Sequence, residues 1–277
     1  MLNLQPDESI SWMAPYAYAI VLLGFGFFLF RVFENWYADY FDRPFYRHLF
    51  VFRRLSKPQL QVLAQEIDFF QRLKKSEKRQ FEHRVATFIA EKKFVGRDGF
   101  QITDRIKVLI ASLACMLSFG RKNYEFALVD YILVYPGEFY SAINDRYHKG
   151  EFNPREKALV LSWKDFEEGY QITNDKRNLG IHEFMHAMQL ESKSSRDLDS
   201  NRFAKQFQNI LKRLTHPEIK AKLEDTQFFR EYAFTNQYEF MAVLAEYFFE
   251  APQEFQKLFP DLYTATKKML NFRFAGY

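Results

Sequence analysis

The chain has 277 residues, a formal net charge of +4 and an aromatic content of 19%. This length is sufficient for a domain with a sizeable core. The modest charge and the lack of a recognisable nucleic-acid-binding module argue against a nucleic-acid partner. The single cysteine, Cys115, excludes an intramolecular disulfide and is typical of a reducing compartment.

A membrane-spanning helix is predicted near the N-terminus. No charged residue occurs from Ser9 to Phe30, and this stretch can cross about 30 Å of hydrocarbon as a helix. A cleavable signal peptide would need a basic N-terminal region and small residues at a cleavage site, whereas this chain has Asp7 and Glu8. A buried core helix is the second alternative, but the uncharged stretch is long for one.

The distribution of basic residues predicts the orientation of this helix. None precedes it, and six follow it: Arg31, Arg43, Arg47, Arg53, Arg54 and Lys57. The positive-inside rule then places the N-terminus outside and the C-terminal side in the cytoplasm. We expect an N-terminal tail (1–11), a transmembrane helix (12–33), a basic juxtamembrane linker (34–57) and a folded domain (58–277). The chain would be a single-pass protein of the inner (plasma) membrane.

The remainder of the chain has mostly helical patterns with a few buried strands. Thr103 can cap a helix whose apolar residues recur at helical spacing as far as Leu117. Tyr131 to Tyr135 and Ala158 to Trp163 have the composition of short buried strands, and Ser192 to Asp199 that of a surface loop. These patterns predict a helix-rich α+β fold.

The motif His182-Glu183-Phe184-Met185-His186 carries the clearest chemical signal. Two histidines four residues apart lie on one face of a helix and can both bind a zinc ion. The glutamate between them is placed to accept a proton from the attacking water. Two core histidines bonded to main-chain carbonyls are the alternative. The flanking residues are almost all apolar, and buried ionisable groups need partners, which favours a metal.

A catalytic zinc site usually has three protein ligands and leaves a fourth position for water. The metzincin pattern would need Gly and His where this chain has Gln189 and Ser192. The segment from Tyr238 to Phe249 is a second apolar helix with two carboxylates, Glu239 and Glu246, on one face. Each could pair with an arginine or lysine, but we favour Glu239 as the third ligand. We expect Glu246 to orient a ligand histidine through its free ring nitrogen.

Several blocks of the sequence, in order, resemble the Mlc titration factor A (MtfA) family of zinc-dependent peptidases. The likeness extends from about Pro58 to about Tyr263. The blocks are Phe94-Val95-Gly96 with Thr103-Asp104, Ile132-Leu133-Val134-Tyr135-Pro136, Val160-Leu161-Ser162-Trp163, the histidine motif, and Glu239 to Phe249.

The resemblance implies a zincin-like metallopeptidase domain with an N-terminal helical lobe, a Zn²⁺ cofactor and a peptide or protein substrate. The family ligands fall on His182, His186 and Glu239, and the family base on Glu183. The site also resembles the catalytic domain of anthrax lethal factor, in which a tyrosine seven residues before the glutamate ligand assists catalysis; Tyr232 has that spacing.

The resemblance also implies one departure and one substrate-binding strand. The family usually has aspartate three residues after the second histidine, where this chain has Gln189. Glutamine cannot supply negative charge. If the aspartate tunes a ligand histidine, we expect a lower metal affinity or a lower rate in this chain. A strand beside the motif helix binds extended substrate in zinc peptidases of this build. We assign that role to Ala158–Trp163.

The leading hypothesis is a membrane-tethered zinc peptidase that hydrolyses peptide bonds through a metal-activated water. The alternative follows from the same resemblance, because MtfA-like proteins are also linked to binding a transcriptional repressor. In that case, the chain would sequester a regulatory protein partner at the membrane and have weak or no peptidase activity.

Overall fold

The structure, a computed structural model, describes residues 12–41, 53–141, 145–172, 175–195 and 197–277. The chain divides into two compact units, Met1–Phe45 and Tyr46–Tyr277. The predicted tail (1–11) and residues 42–52 of the predicted linker, including Arg43 and Arg47, lie outside the described residues.

The first unit contains one long helix, α1 (Ala14–Phe41). Its segment Ala14–Glu34, with 21 residues and a mean hydropathy of 1.9, is long and apolar enough to cross a membrane. The large apolar side chains of this segment are exposed; Leu23, for example, is 73% exposed. The helix continues beyond the predicted end of the span, so residues 34–41 of the predicted linker are helical. A signal sequence would also meet these length and composition criteria.

The second unit begins with four helices, which are α2 (Lys57–Glu66), α3 (Asp68–Arg72), α4 (Lys75–Glu91) and α5 (Asp104–Leu117). Helices α2 and α4 pack against α5, whose residues are nearly all buried from Ile106 onwards. The predicted cap is confirmed, because the Thr103 hydroxyl accepts a hydrogen bond from the main-chain nitrogen of Ile106 at 3.3 Å. The apolar helix α5 thus lies at the centre of the N-terminal helices of this unit.

The described residues of this unit form six strands in two sheets, of which β1 lies between α4 and α5 and the others follow α5. They are β1 (Lys93–Gly96), β2 (Tyr131–Tyr135), β3 (Phe139–Ser141), β4 (Arg146–His148), β5 (Gly150–Asn153) and β6 (Ala158–Ser162). The larger sheet has the order β1-β2-β6-β5, and β3 and β4 form a separate ribbon. Strands β1, β2 and β6 are parallel, whereas β5 is antiparallel to β6 and lies at the edge. The strand predicted from Tyr131 to Tyr135 is confirmed at both ends.

The helices that complete the unit are α6 (Trp163–Gln171), α7 (Leu179–Ser194), α8 (Leu198–Leu214), α9 (Pro217–Thr226), α10 (Gln237–Glu250), α11 (Pro252–Leu258) and α12 (Pro260–Met269). A 3₁₀ turn over Glu231–Phe234 precedes α10. Helix α7 packs against α10, α5, β5 and β6, and therefore lies at the centre of the unit. The prediction of a helix-rich chain with a sheet is confirmed.

The surface loop predicted from Ser192 to Asp199 is wrong at both ends. Helix α7 extends to Ser194, because the buried Ser192 hydroxyl accepts a hydrogen bond from Arg121 at 3.0 Å. Helix α8 begins at Leu198, because the Asp197 carboxylate accepts a hydrogen bond from the main-chain nitrogen of Ser200 at 2.8 Å. Polar residues in this segment cap and anchor helices, and the composition alone suggested a loop.

Aromatic contacts join the N-terminal helices to one another and to the C-terminal segment. Phe69 and Phe81 are 5.2 Å apart between ring centroids, and Phe119 and Phe274 are 4.7 Å apart. Both pairs are in the T-shaped arrangement that favours aromatic rings by about 0.5–1.5 kcal/mol beyond their burial. Residues from both ends of the second unit therefore share one core.

A buried arginine on α4, Arg84, binds the main chain directly after the C-terminal end of α5. The Arg84 guanidinium donates hydrogen bonds to the main-chain carbonyls of Ser118 at 3.0 Å, Phe119 at 3.2 Å and Arg121 at 2.8 Å. It also lies over the Tyr124 ring, 4.4 Å from its centroid. These carbonyls belong to the turn that follows α5, so the guanidinium attaches this turn to α4 through three hydrogen bonds.

We expect the substitution Arg84→Met to lower the free energy of unfolding by about 3 kcal/mol, because it removes three buried hydrogen bonds from a charged donor. Denaturant unfolding followed by circular dichroism measures this change. Lys75→Met, at an exposed position of α4, is the control and should have little effect. Equal stability of the two variants would contradict the assigned role of Arg84.

Candidate metal centre

Helix α7 positions the histidine motif in its first two turns. The Asn178 side chain caps the helix by accepting a hydrogen bond from the main-chain nitrogen of Ile181 at 3.0 Å. The second residue of the helix is Gly180, where a Cβ would lie 2.7 Å from both Leu113 and Phe166. This glycine lets α7 approach α5 and α6 closely, which buries His182 and Glu183.

Helix α10 brings the second set of polar side chains to the motif. Its first turn is fixed by Asn236, whose side chain accepts hydrogen bonds from the main-chain nitrogens of Tyr238 at 2.8 Å and Glu239 at 3.1 Å. From Phe240 to Phe249 every residue of α10 is buried. Glu246 therefore lies in the packed interior next to α7, and Glu239, one residue before this stretch, is partly buried.

The structure brings His182, His186 and Glu239 together, with their candidate donor atoms all within 4.8 Å of one another. The Nε2 atom of His182 is 2.9 Å from Oε2 of Glu239 and 3.1 Å from Nε2 of His186. The Nε2 atom of His186 is 3.5 Å from the same glutamate oxygen. Two ligands at tetrahedral zinc bond lengths are roughly 3.3 Å apart, so both the donor chemistry and the spacing fit this ion.

A buried carboxylate fixes the orientation of the first histidine. Oε1 of Glu246 lies 2.7 Å from Nδ1 of His182, and the Glu246 residue is only 1% exposed. A proton on Nδ1 donates to this carboxylate and leaves Nε2 free to bind a metal. Both sequence-based alternatives for Glu246 are realised, since it contacts a histidine and also pairs with an arginine.

The arginine is Arg230, which the sequence analysis did not identify. Its guanidinium donates to Oε1 of Glu246 at 2.6 Å and to Oε2 at 3.0 Å. The main-chain nitrogen of Asn178 donates to the same Oε2 at 2.8 Å. Buried carboxylates need such partners. This requirement was the only sequence signal for a basic residue here, and it did not specify which one.

The close packing of acids and imidazoles shifts their pKa values in opposite directions. Burial lowers the pKa of His182, but hydrogen bonds to Glu239 and Glu246 outweigh it and raise the pKa to about 10. Burial raises the pKa of Glu239, but hydrogen bonds from His182 and His186 hold it well below its usual range. A proton is therefore held between the imidazole and carboxylate groups, and a metal cation that binds there would displace it.

The motif glutamate, Glu183, faces the edge strand of the sheet. A Cβ on Gly150 in β5 would lie 2.6 Å from Oε1 of Glu183, so glycine is needed for this close approach. Burial raises the pKa of the Glu183 carboxyl above its ordinary value. A carboxylate with a raised pKa is a stronger base toward water.

The structure places Tyr232 beside the donors, in the 3₁₀ turn before α10. Its ring centroid lies 5.9 Å from that of His182, and the side chain is 50% exposed. Burial, followed by the charge and hydrogen bonding of Glu239, raises the pKa of its hydroxyl, which therefore stays protonated. The tyrosine can donate a hydrogen bond into the space next to the donor set.

The structure places Gln189 against the main chain of α10. Its amide donates a hydrogen bond to the carbonyl of Tyr238 at 3.0 Å, one residue before Glu239. An aspartate could not make this contact, since an ionised carboxylate has no donor. In this chain, Gln189 therefore contributes to the position of Glu239 through the start of α10.

The assignment of the substrate-binding strand to Ala158–Trp163 is wrong. Strand β6 pairs with β2 on one side and β5 on the other, so it has no open edge. Trp163 is also the first residue of α6. The open strand next to α7 is β5, which the sequence analysis missed because Gly150 to Asn153 lacks both apolar alternation and β-branched residues.

A cavity of about 340 Å³ opens beside the donors on the side of β5. The cavity is lined by Phe152, Leu190 and Lys193, together with the donor residues His186 and Glu239. The cavity could hold a side chain of a peptide that runs along β5.

Comparisons with known proteins extend over most of the second unit. The family model described as glucose-regulated metallo-peptidase M90 matches residues 47–271. "Uncharacterized protein slr2042" of Synechocystis sp. is 28% identical over 79% of this chain and 85% of its own length. "Mlc titration factor A" of Pectobacterium atrosepticum is 26% identical over 77% of this chain and 88% of its own length. The protein of the same name from Klebsiella pneumoniae strain 342 is 26% identical over 74% and 82%.

The family model covers well over half of the chain, and the relatives share most of their length with it. The resemblance found from the sequence blocks is therefore confirmed. The chain belongs to the M90 metallopeptidase family, together with the Mlc titration factor A proteins.

Proposed function

We propose that the protein is a zinc-dependent peptidase anchored in a membrane by α1. The observation that carries the proposal is the convergence of His182, His186 and Glu239, whose donor atoms lie within 4.8 Å of one another. Membership of a metallopeptidase family supports it. In this proposal, these three residues hold Zn²⁺, which when bound polarises a peptide carbonyl and increases the acidity of water.

The residues around the donors have distinct roles in the proposed reaction. Glu183 accepts the proton of the attacking water and returns it to the leaving amine, a role that its raised pKa supports. Tyr232 donates a hydrogen bond to the developing oxyanion. Glu246, held by Arg230, keeps the ring of His182 in the tautomer that presents Nε2.

We propose that substrate binds as an added strand along β5. The main-chain carbonyl of Lys149 accepts a hydrogen bond from Ser162 at 2.7 Å, and the antiparallel pairing alternates from there. The main-chain groups of Gly150 and Phe152 then point away from β6 and are open to a peptide. A peptide on this edge passes Glu183 and can place one side chain in the cavity lined by Phe152 and Leu190.

The membrane anchor is the second part of the proposal. The segment Ala14–Glu34 has the length and hydropathy of a span. The basic residues lie on its C-terminal side, which supports an external N-terminus and a cytoplasmic catalytic domain at the inner (plasma) membrane.

The names of the relatives support a second candidate function. Two of them are called Mlc titration factor A, a name that denotes an effect on another protein. In this alternative, the chain binds a regulatory protein partner and has little or no peptidase activity.

We expect Glu183→Gln to reduce peptide hydrolysis by at least about a hundredfold and to leave zinc binding unchanged, because the amide cannot accept the proton of water. Hydrolysis of a denatured protein substrate by the full chain in detergent, with bound zinc measured in parallel, tests this expectation. Glu224→Gln on α9, an exposed position, is the matched control. If neither the wild type nor Glu183→Gln hydrolyses the substrate, but both still bind a regulatory protein partner, the second candidate function is favoured.

Gly150→Ala should reduce turnover by about 10- to 100-fold, since a Cβ would displace Glu183 and disturb the edge strand. Zinc affinity should stay within about twofold of wild type, because the donors lie on α7 and α10. The ratio of turnover to bound zinc is the measurement. Unchanged turnover would exclude the proposed position of Glu183 against β5.

Glu246→Gln should weaken zinc binding by about 10- to 100-fold, because the charge that fixes the His182 tautomer is lost while the side-chain volume is kept. Competition against a chromophoric chelator at neutral pH measures the affinity. The surface variant Glu224→Gln should bind zinc like the wild type. Equal zinc affinities for the wild type and both variants would show that Glu246 does not contribute to zinc binding.

A further inference from the structure

A second cavity, of about 600 Å³, lies near the N-terminal end of α7. Ten of the residues at its walls carry polar side chains, namely Glu66, Asp68, Arg72, Ser112, Tyr170, Gln171, Asn178, Glu250, Gln253 and Tyr277. It shares no residue with the proposed donor set, and its volume is in the range of pockets that hold small organic molecules. The proposed peptidase reaction does not use it.

Two residues that line this cavity each have a buried polar atom without a hydrogen-bond partner among the described residues. They are Oγ of Ser112 and Oε2 of Glu250. Ser112 is 1% exposed on α5, and the other Glu250 oxygen accepts a hydrogen bond from the Asn178 amide at 3.0 Å. Leaving a buried polar group unpaired costs about 1–3 kcal/mol, so such atoms are uncommon in folded proteins.

Three of the four charged side chains that line the cavity are acidic. The acidic residues are Glu250, Asp68 and Glu66, and Glu66 pairs with Arg105 at 2.9 Å. The one arginine of the lining, Arg72, donates to the Tyr277 hydroxyl at 2.9 Å and lies over the same ring.

The protonation of Glu250 depends on what faces it. Burial, with the nearby charges of Glu246 and Asp175, raises the pKa of Glu250 to about 8. A positive group beside the free oxygen would favour the ionised carboxylate.

We propose that this cavity binds a small organic molecule with a protonated amine, which pairs with Glu250 and donates a hydrogen bond to Ser112. The aromatic rings of Tyr170, Phe249 and Tyr277 form part of the wall against which the apolar body of such a ligand packs. A free small molecule fits better than a single side chain of a protein, because about 600 Å³ exceeds the volume that one side chain fills.

Hydrogen bonds connect this cavity to the proposed zinc site. Asn178 donates through its amide to Glu250 and through its main-chain nitrogen, at 2.8 Å, to Glu246. Glu246 in turn accepts from Nδ1 of His182 at 2.7 Å. Occupation of the cavity holds Asn178 and Glu246 in place, so the ligand regulates the metal affinity. This coupling rests on the proposed zinc site, whereas the binding itself does not.

The binding is tested with zinc-free full-length protein in detergent at pH 7, with benzylamine, benzyl alcohol and benzoate as probes. Titration calorimetry or ligand-observed nuclear magnetic resonance should give benzylamine an affinity at least about tenfold above that of benzyl alcohol, and benzoate no binding. Glu250→Gln, which keeps the acceptor for Asn178, should lower the benzylamine affinity by about tenfold. Ser112→Ala should lower it by a smaller factor, and Glu224→Gln should leave it unchanged.

Equal binding of the three probes, or full benzylamine affinity in both Glu250→Gln and Ser112→Ala, would overturn the proposed site. Zinc affinity with and without saturating benzylamine then tests the coupling. An increase of about fivefold is expected, with the same factor for benzylamine binding in the presence of zinc, because linkage is reciprocal. Unchanged zinc affinity would overturn the regulatory role. Absence of zinc binding in both cases would instead contradict the proposed function.

Discussion

The carboxylate of Glu246 is the contact on which the arrangement of the site depends. It is buried and accepts hydrogen bonds from His182, from Arg230 and from the main chain of Asn178. His182 and Asn178 belong to α7 and its cap, whereas Arg230 comes from the segment before the 3₁₀ turn. A buried charge tolerates few arrangements of its partners, since the loss of one leaves the charge uncompensated. The position of α7 against α10 and the tautomer of His182 are thus fixed by the same group.

The second constraint is the close approach of main chains at two glycines. Gly180 allows α7 to pack against α5 and α6, and Gly150 allows β5 to pass next to Glu183. A Cβ at either position would lie less than 3.0 Å from a neighbouring side chain, so that side chain would have to shift. The aromatic core supports this geometry, since rings from both ends of the second unit pack in one cluster and leave α7 and α10 little freedom.

The features that the sequence predicted are those with a local or periodic signal. The spacing of His182 and His186 and the interval between Glu239 and Glu246 each specify one helix face, and the fold brings both faces together. The cap at Thr103 and the strand from Tyr131 to Tyr135 follow from composition over a few residues. Arg230, the edge strand β5 and the second cavity depend on which distant segments meet, and no local pattern carries that information. The limits of α7 and α8 were missed because serine and aspartate occur in both caps and loops.

The separation of the donors along the chain has a consequence for biosynthesis. His182 and Glu239 are 57 residues apart, and the helices α8 and α9 lie between them. During synthesis from the N-terminus, both histidines are complete before α10 exists, and a two-histidine site holds zinc less firmly than a three-ligand site. In the proposed enzyme, the third donor and its neighbour Glu246 arrive together on one late helix. A growing or truncated chain that ends before α10 would therefore have no working metal centre, and hydrolytic activity would begin only once the domain is nearly complete.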